Sequence, residues 1–211
     1  MTQETLTIHD ALSAIKIADS RIEKEINNAE FCVANCNSNT QVNGVSLDDF
    51  NSAAQSSFQS INDLINRRDA LKEAIAQSNA KTTIKVDGKD YTIAEALFQL
   101  TEGLEVKREL LNKLREDYFN ASNTVNEKNE EVRDKCDRAV TDTYGTKEKA
   151  SEADMEAYEK FYMARHSYTL IDPLNILDKI QKLSDEIDKL SAEFDSKIQT
   201  SNATTNITIE Y

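Results

Sequence analysis

The sequence predicts a mainly α-helical chain: long antiparallel, coiled-coil-like helical hairpins carrying a small antiparallel β-sheet. Three observations point there. The 211 residues hold four Gly, one Pro and no Trp, with 30% charged and 39% apolar. Polar helices with narrow apolar stripes fit that composition better than a thick globule. Apolar residues recur at three- and four-residue steps along most of the chain, the helical period. Finally, two phrases occur twice in the same order. Thr7-Ile8-His9-Asp10-Ala11-Leu12 returns as Thr92-Ile93-Ala94-Glu95-Ala96-Leu97, and Ser78-Asn79-Ala80-Lys81-Thr82-Thr83-Ile84 returns as Ser201-Asn202-Ala203-Thr204-Thr205-Asn206-Ile207. The front phrases are offset by 92 − 7 = 85 residues and the rear phrases by 201 − 78 = 123. A tandem internal duplication of a βααβ unit accounts for both. Residues 1–88 form the first repeat and 89–211 the second, which carries a helical and aromatic insertion at about 120–170. The two make one composite domain.

Each element has a local reason. Residues 1–8 alternate weakly and read as a short strand. Thr7 caps a first helix, with Asp10 three residues on, and Ala11, Leu12, Ile15, Ile22 and Ile26 carry its stripe to about Ala34. Residues 35–47, rich in Asn, Ser and Gly, read as a loop. Asp48 or Asp49 caps the second helix, striped by Phe50, Ala54, Phe58, Ile61, Leu64, Ile65, Leu71 and Ile75 and ending at Ser78 to Ala80. Asp87-Gly88 between two alternating runs is a hairpin, because Gly accepts the positive φ of a primed turn. Thr92 with Glu95 forms a capping box for the third helix, which continues through Leu100, Leu104, Leu111 and Val132 to Val140. Asp172-Pro173 starts the last helix, and Ile207, Ile209 and Tyr211 alternate as a closing strand. The four short strands are expected to form one small antiparallel sheet about a near-dyad.

With 38 Asp plus Glu against 25 Lys plus Arg, the net charge is −13. Such a surface repels phosphate backbones and anionic lipid, which argues against nucleic-acid and membrane partners. The carboxylates are interleaved with lysines at helical spacing, the pattern of a solvated face; an acidic DNA mimic is the sharper alternative. Cys32, Cys36 and Cys136 are an odd set, consistent with reduced thiols. Cys32 and Cys36 are spaced to share a helix face, but no second pair completes a metal site, and neither metal nor cofactor is expected. The N-terminus lacks a basic region followed by an apolar run, and no stretch has the length of a membrane span. No signal peptide is therefore expected.

No catalytic signature is present: no Gly-rich phosphate loop, nucleophile elbow or zinc-protease helix. The chain therefore reads as a non-enzyme. Two groups are candidates for binding. Arg67, Arg68, Asn79 and Thr82, with Asn202 and Thr205 in the second repeat, lie toward the ends of helices that run into strands. They would line a polar pocket for a small anionic ligand if the two turns met; equally, Asn and Thr simply terminate helices. Met155, Tyr158, Phe161, Tyr162 and Tyr168 would form a partner-binding patch, or pack on their own hairpin.

At Ile65-Asn66-Arg67-Arg68, Ser78-Asn79-Ala80-Lys81-Thr82, Asp87-Gly88, Thr92-Ile93-Ala94-Glu95-Ala96-Leu97 and Ser201-Asn202-Ala203-Thr204-Thr205, the chain resembles a family of uncharacterised proteins. Its members come from bacteria, prophages and tailed phages of Gram-positive hosts, and some are labelled "septicolysin". The resemblance is weakest at 32–47 and 120–170, and its motifs are structural. The cytolysin label does not fit a chain without Trp. What the resemblance implies is a phage setting. The leading expectation is thus a non-enzymatic structural or interaction protein, a virion component or assembly factor, acting in the host cytoplasm or the virion. It would bind copies of itself, as a homo-oligomer, and other phage or host proteins. The alternatives are a protein that sequesters a nucleotide signal of host defence, and the DNA mimic.

Overall fold

A computed structural model of the chain describes residues 2–145 and 151–211. Residue 1 of the expected first strand and residues 146–150 of the expected insertion lie outside the described residues. The chain is mainly helical, with small antiparallel ladders. In order come β1 (Gln3–Thr7), α1 (Ile8–Asn28), β2 (Gln41–Val42), β3 (Val45–Ser46), α2 (Leu47–Lys81), β4 (Thr83–Val86), β5 (Lys89–Thr92) and α3 (Ile93–Phe98). A π-helical turn, Gln99–Gly103, leads into α4 (Leu104–Tyr144), followed by α5 (Glu152–His166), α6 (Ile176–Thr204) and β6 (Asn206–Glu210). Two compact units divide these elements: Met1–Glu102 with Leu190–Tyr211, and Gly103–Lys189.

In the first unit, α1 and α2 form an antiparallel hairpin whose inner end is closed by strands. The strands do not join into one four-stranded sheet. β1 pairs with β6, β4 with β5 and β2 with β3, each as a separate two-stranded ladder. Two-stranded ribbons need cover from other elements, and each long ladder has its own apolar cluster. Under β1–β6 lie Ile8, Ala11, Ile15, Leu71, Ile75, Ile207 and Ile209. Under β4–β5 lie Val86, Ile93, Ala96, Phe194 and Ile198, with Ile84 and Leu100 partly buried.

The same contacts are made at both ladders. Thr7 faces Asn206 as Thr92 faces Thr83, and Leu6 faces Ile207 as Tyr91 faces Ile84. Each pair is related by the 85- and 123-residue offsets of the recurring phrases. The Ile8 amide donates to the Thr205 carbonyl at 3.0 Å, and the Ile93 amide to the Thr82 carbonyl at 2.9 Å. Thr7 and Thr92 cap α1 and α3, accepting from the amides of Asp10 and Glu95. Ser78 and Thr82 approach to 3.4 Å through their hydroxyls, as do Ser201 and Thr205.

Several local readings are corrected. α1 stops at Asn28, because Ala29 turns extended, so Cys32 and Cys36 lie beyond the helix and share no face of it. Residues 41–46 form a hairpin rather than a plain loop. Its turn residues Asn43 (φ 50°) and Gly44 (φ 84°) repeat the geometry of Asp87 (φ 47°) and Gly88 (φ 79°). Ser46, not Asp48 or Asp49, caps α2 by accepting from the Asp49 amide. Asp172 accepts from the Ile176 amide, so α6 begins three residues after Pro173.

In the second unit, α4 and α5 pack together, and Val132, Cys136 and Val140 of α4 are buried. The Asn129 side chain holds the chain after α5: it donates to the Tyr168 carbonyl at 3.0 Å and accepts from its amide at 2.8 Å. Lys107 of α4 pairs with Glu186 of α6.

Candidate functional site

The first expected pocket is not gathered. Arg67 is gripped by Glu4 through two hydrogen bonds of 3.1 and 3.0 Å, and its guanidinium carbon lies 5.9 Å from the Tyr211 ring centre. Hydrogen bonding to Glu4 is the main cause raising the Arg67 pKa further above its ordinary value. Arg68 pairs with Asp19 and Asp69. Both positive charges are thus met by carboxylates of the chain. Arg67 and Asn79 are twelve positions apart, about 18 Å along α2 at the α-helical rise. Thr82 and Thr205 face the serines four residues before them, Ser78 and Ser201. Asn79 Oδ1 is buried without a hydrogen-bond partner, while Asn202 is half-buried. The helix-terminating reading describes these side chains; an anion-binding floor does not.

The aromatic group divides. Tyr158 stacks on Tyr162 at 6.1 Å and meets Tyr144 edge-on, and Tyr162 lies 4.5 Å from the His166 ring. Tyr158, Tyr162 and His166 follow one another along α5 at four-residue steps, and Tyr144 joins them from the end of α4, so the ladder is intramolecular. Met155 is half-buried, whereas Phe161 and Tyr168 are exposed. Of the five residues, Phe161 at 65% is the most open to a partner. A neighbouring cavity of about 330 Å³ is lined by Arg133, Cys136, Asp137, Glu159 and Met163. Burial pushes the Cys136 thiol up, which keeps it protonated.

A different surface stands out in the first unit. Between the outer halves of α1 and α2 runs an open groove of about 620 Å³. Ile26, Phe31, Ala54, Phe58, Ile61 and Ile65 supply its apolar lining; Gln55 and Asn62 are its polar members. Phe31 meets Phe58 edge-on at 6.1 Å. Phe58 is nevertheless 61% exposed, Ile26 49% and Phe31 45%. Helical spacing places Ala54, Phe58, Ile61 and Ile65 on one face of α2, and the extended chain after Asn28 swings Phe31 over it. From sequence, Ile26, Ala54, Phe58, Ile61 and Ile65 belong to the helix stripes, whereas Phe31 has no assigned role and the groove is missed. A signal was present: no Lys or Arg occurs between Lys24 and Arg67. That run is Asn- and Ser-rich and holds only five charges, Glu25, Glu30, Asp48, Asp49 and Asp63.

Cys36, beyond α1, is exposed, and the Ser38 hydroxyl beside its sulfur pulls its pKa down. Among the described residues no group of three or more His, Cys, Asp or Glu is placed to hold a metal ion. No helix among them is long and apolar enough to cross a membrane. No protein-family model, curated protein or solved structure matches this chain.

Proposed function

We propose that the protein is non-enzymatic and works through protein–protein contacts, its partner surface being the groove between α1 and α2. The setting we propose is phage-type, as a virion component or assembly factor, which rests on the sequence resemblance. One observation carries the interaction reading: three large apolar side chains, Ile26, Phe31 and Phe58, line an open groove while each remains 45% or more exposed. Contiguous exposed apolar surface of this kind marks interaction sites. Aromatic enrichment with depleted charge is the composition of an interface centre. Fully formed capping and core packing at the inner end of the hairpin hold the two helices that bear it.

The test is photo-cross-linking in cells producing the protein in its native context, from an unnatural aromatic residue at position 58. A control probe sits at Glu130, on the charged face of α4. Discrete protein adducts from position 58, exceeding those from 130, are expected. No adduct above the control would overturn the interaction reading.

A further inference from the structure

Resting on that reading, we infer that the groove takes an amphipathic helix from a different protein, its apolar face flanked by Lys or Arg. One face of α2 forms the floor, with Ile26 at the end of α1 and Phe31 of the segment after it as the facing wall; no open strand edge is among the lining residues, so the recognition mode is helix-in-groove. Charge selects the partner. From Glu25 to Asn66 the chain has five carboxylates and no base. Glu30 accepts from Asn43 and Asp49 from the Ser46 hydroxyl, while Asp63 accepts from Gln59. None of the five pairs with a base among the described residues. Asp63 lies on another face, lining a separate cavity with Arg67, but Glu25 and Glu30 are the chain neighbours of the lining residues Ile26 and Phe31, and basic flanks would be drawn to that end of the groove.

A second copy of this chain does not supply such a helix. Each of the six α-helices carries more carboxylates than Lys and Arg together. In the most basic stretch, Lys107 to Arg115, three of the four bases are already paired: Lys107 with Glu186, Arg108 with Glu105 and Lys113 with Asp117.

The absence of Trp from the chain allows a direct assay. Two synthetic helical peptides carry one Trp and the same leucine face, one flanked by Lys and the other by Glu. Titration of the full chain into each is followed by selective Trp fluorescence. The Lys peptide should bind, more weakly as salt rises, and Phe58→Ser and Phe31→Ser should each cost about tenfold or more in affinity. Equal binding of the Glu peptide, or undiminished binding of the Lys peptide to both variants, would overturn the inference. So would a wild-type dimer that Phe58→Ser dissolves, since the groove would then belong to a second copy. Cross-links from position 58 without Lys-peptide preference would sink this partner class and leave the interaction reading standing; loss of both would sink both.

Discussion

The β1–β6 and β4–β5 ladders share register, caps and core positions, yet solve one position differently. Where the first has Arg67 bound to Glu4 beside Tyr211, the second has Leu190, partly buried on the cluster around Phe194. Lys89 stands where the first has Glu4, and lies 4.9 Å over the Tyr91 ring. One ladder is flanked by an ion pair and the other by an aliphatic side chain, with the same backbone plan beneath. Caps, Ser–Thr pairs and apolar clusters recur at both ladders, so they set the plan, and the flanking ion pair is the replaceable part.

Core truncation should have the largest effect, and similarly on both sides. Leu71→Ala, at a fully buried site, should cost about 2–5 kcal/mol, and Phe194→Ala about 3–5 kcal/mol. Urea denaturation followed by circular dichroism reads both. If only one of the two lowers stability, the equivalence of the clusters fails. Loss of a cap comes next: Thr7→Ala and Thr92→Ala should each cost about 1 kcal/mol. Unequal losses would show whether the reciprocal Thr92–Glu95 box outperforms Thr7 with Asp10.

Arg67→Leu makes the first ladder resemble the second. The pair is partly exposed, each side chain at 28%, so the change should stay within about 1 kcal/mol. A loss well beyond that would make the ion pair, not the apolar cluster, the support of β1–β6. The smallest effect concerns acid. The Thr92 amide, donating to Glu95, holds that carboxyl below its ordinary value of 4.5. A folded pKa below the unfolded one gives stability that is complete above the unfolded value and lost as pH falls through the folded value. Thermal melts in the acid range should therefore be less steep with pH for Glu95→Gln than for wild type. Unchanged steepness would remove Glu95 from the acid response.

Local chemistry was readable wherever a turn or cap declares itself within a few residues. Asp87-Gly88, Thr7 and Thr92 behave as their sequence predicts. Asn43-Gly44 has the same turn chemistry, but its strands are two residues each and leave no alternation to notice. Partners distant in sequence were not readable. The pairing of β1 with β6 joins the two ends of the chain, and Glu4 reaches Arg67 across 63 positions. Periodicity placed Phe58 on the correct face of α2, but periodicity does not reveal whether anything covers that face. The turn Gln99–Gly103 left no periodic signal, since a π-turn shifts the stripe by one residue inside an otherwise continuous helix.

Phe58 and Phe194 are the same residue type on two helices of one unit, one 61% exposed and the other 2%. The denaturation midpoint of Phe58→Ser, measured beside Phe194→Ala, separates a side chain kept for a partner from one kept for the fold. Phe58→Ser should lose under about 1.5 kcal/mol, in keeping with its exposure and its edge contact with Phe31, and Phe194→Ala at least about 3 kcal/mol. Equal losses would contradict this, because Phe58 would then be a member of the core rather than the floor of a docking groove.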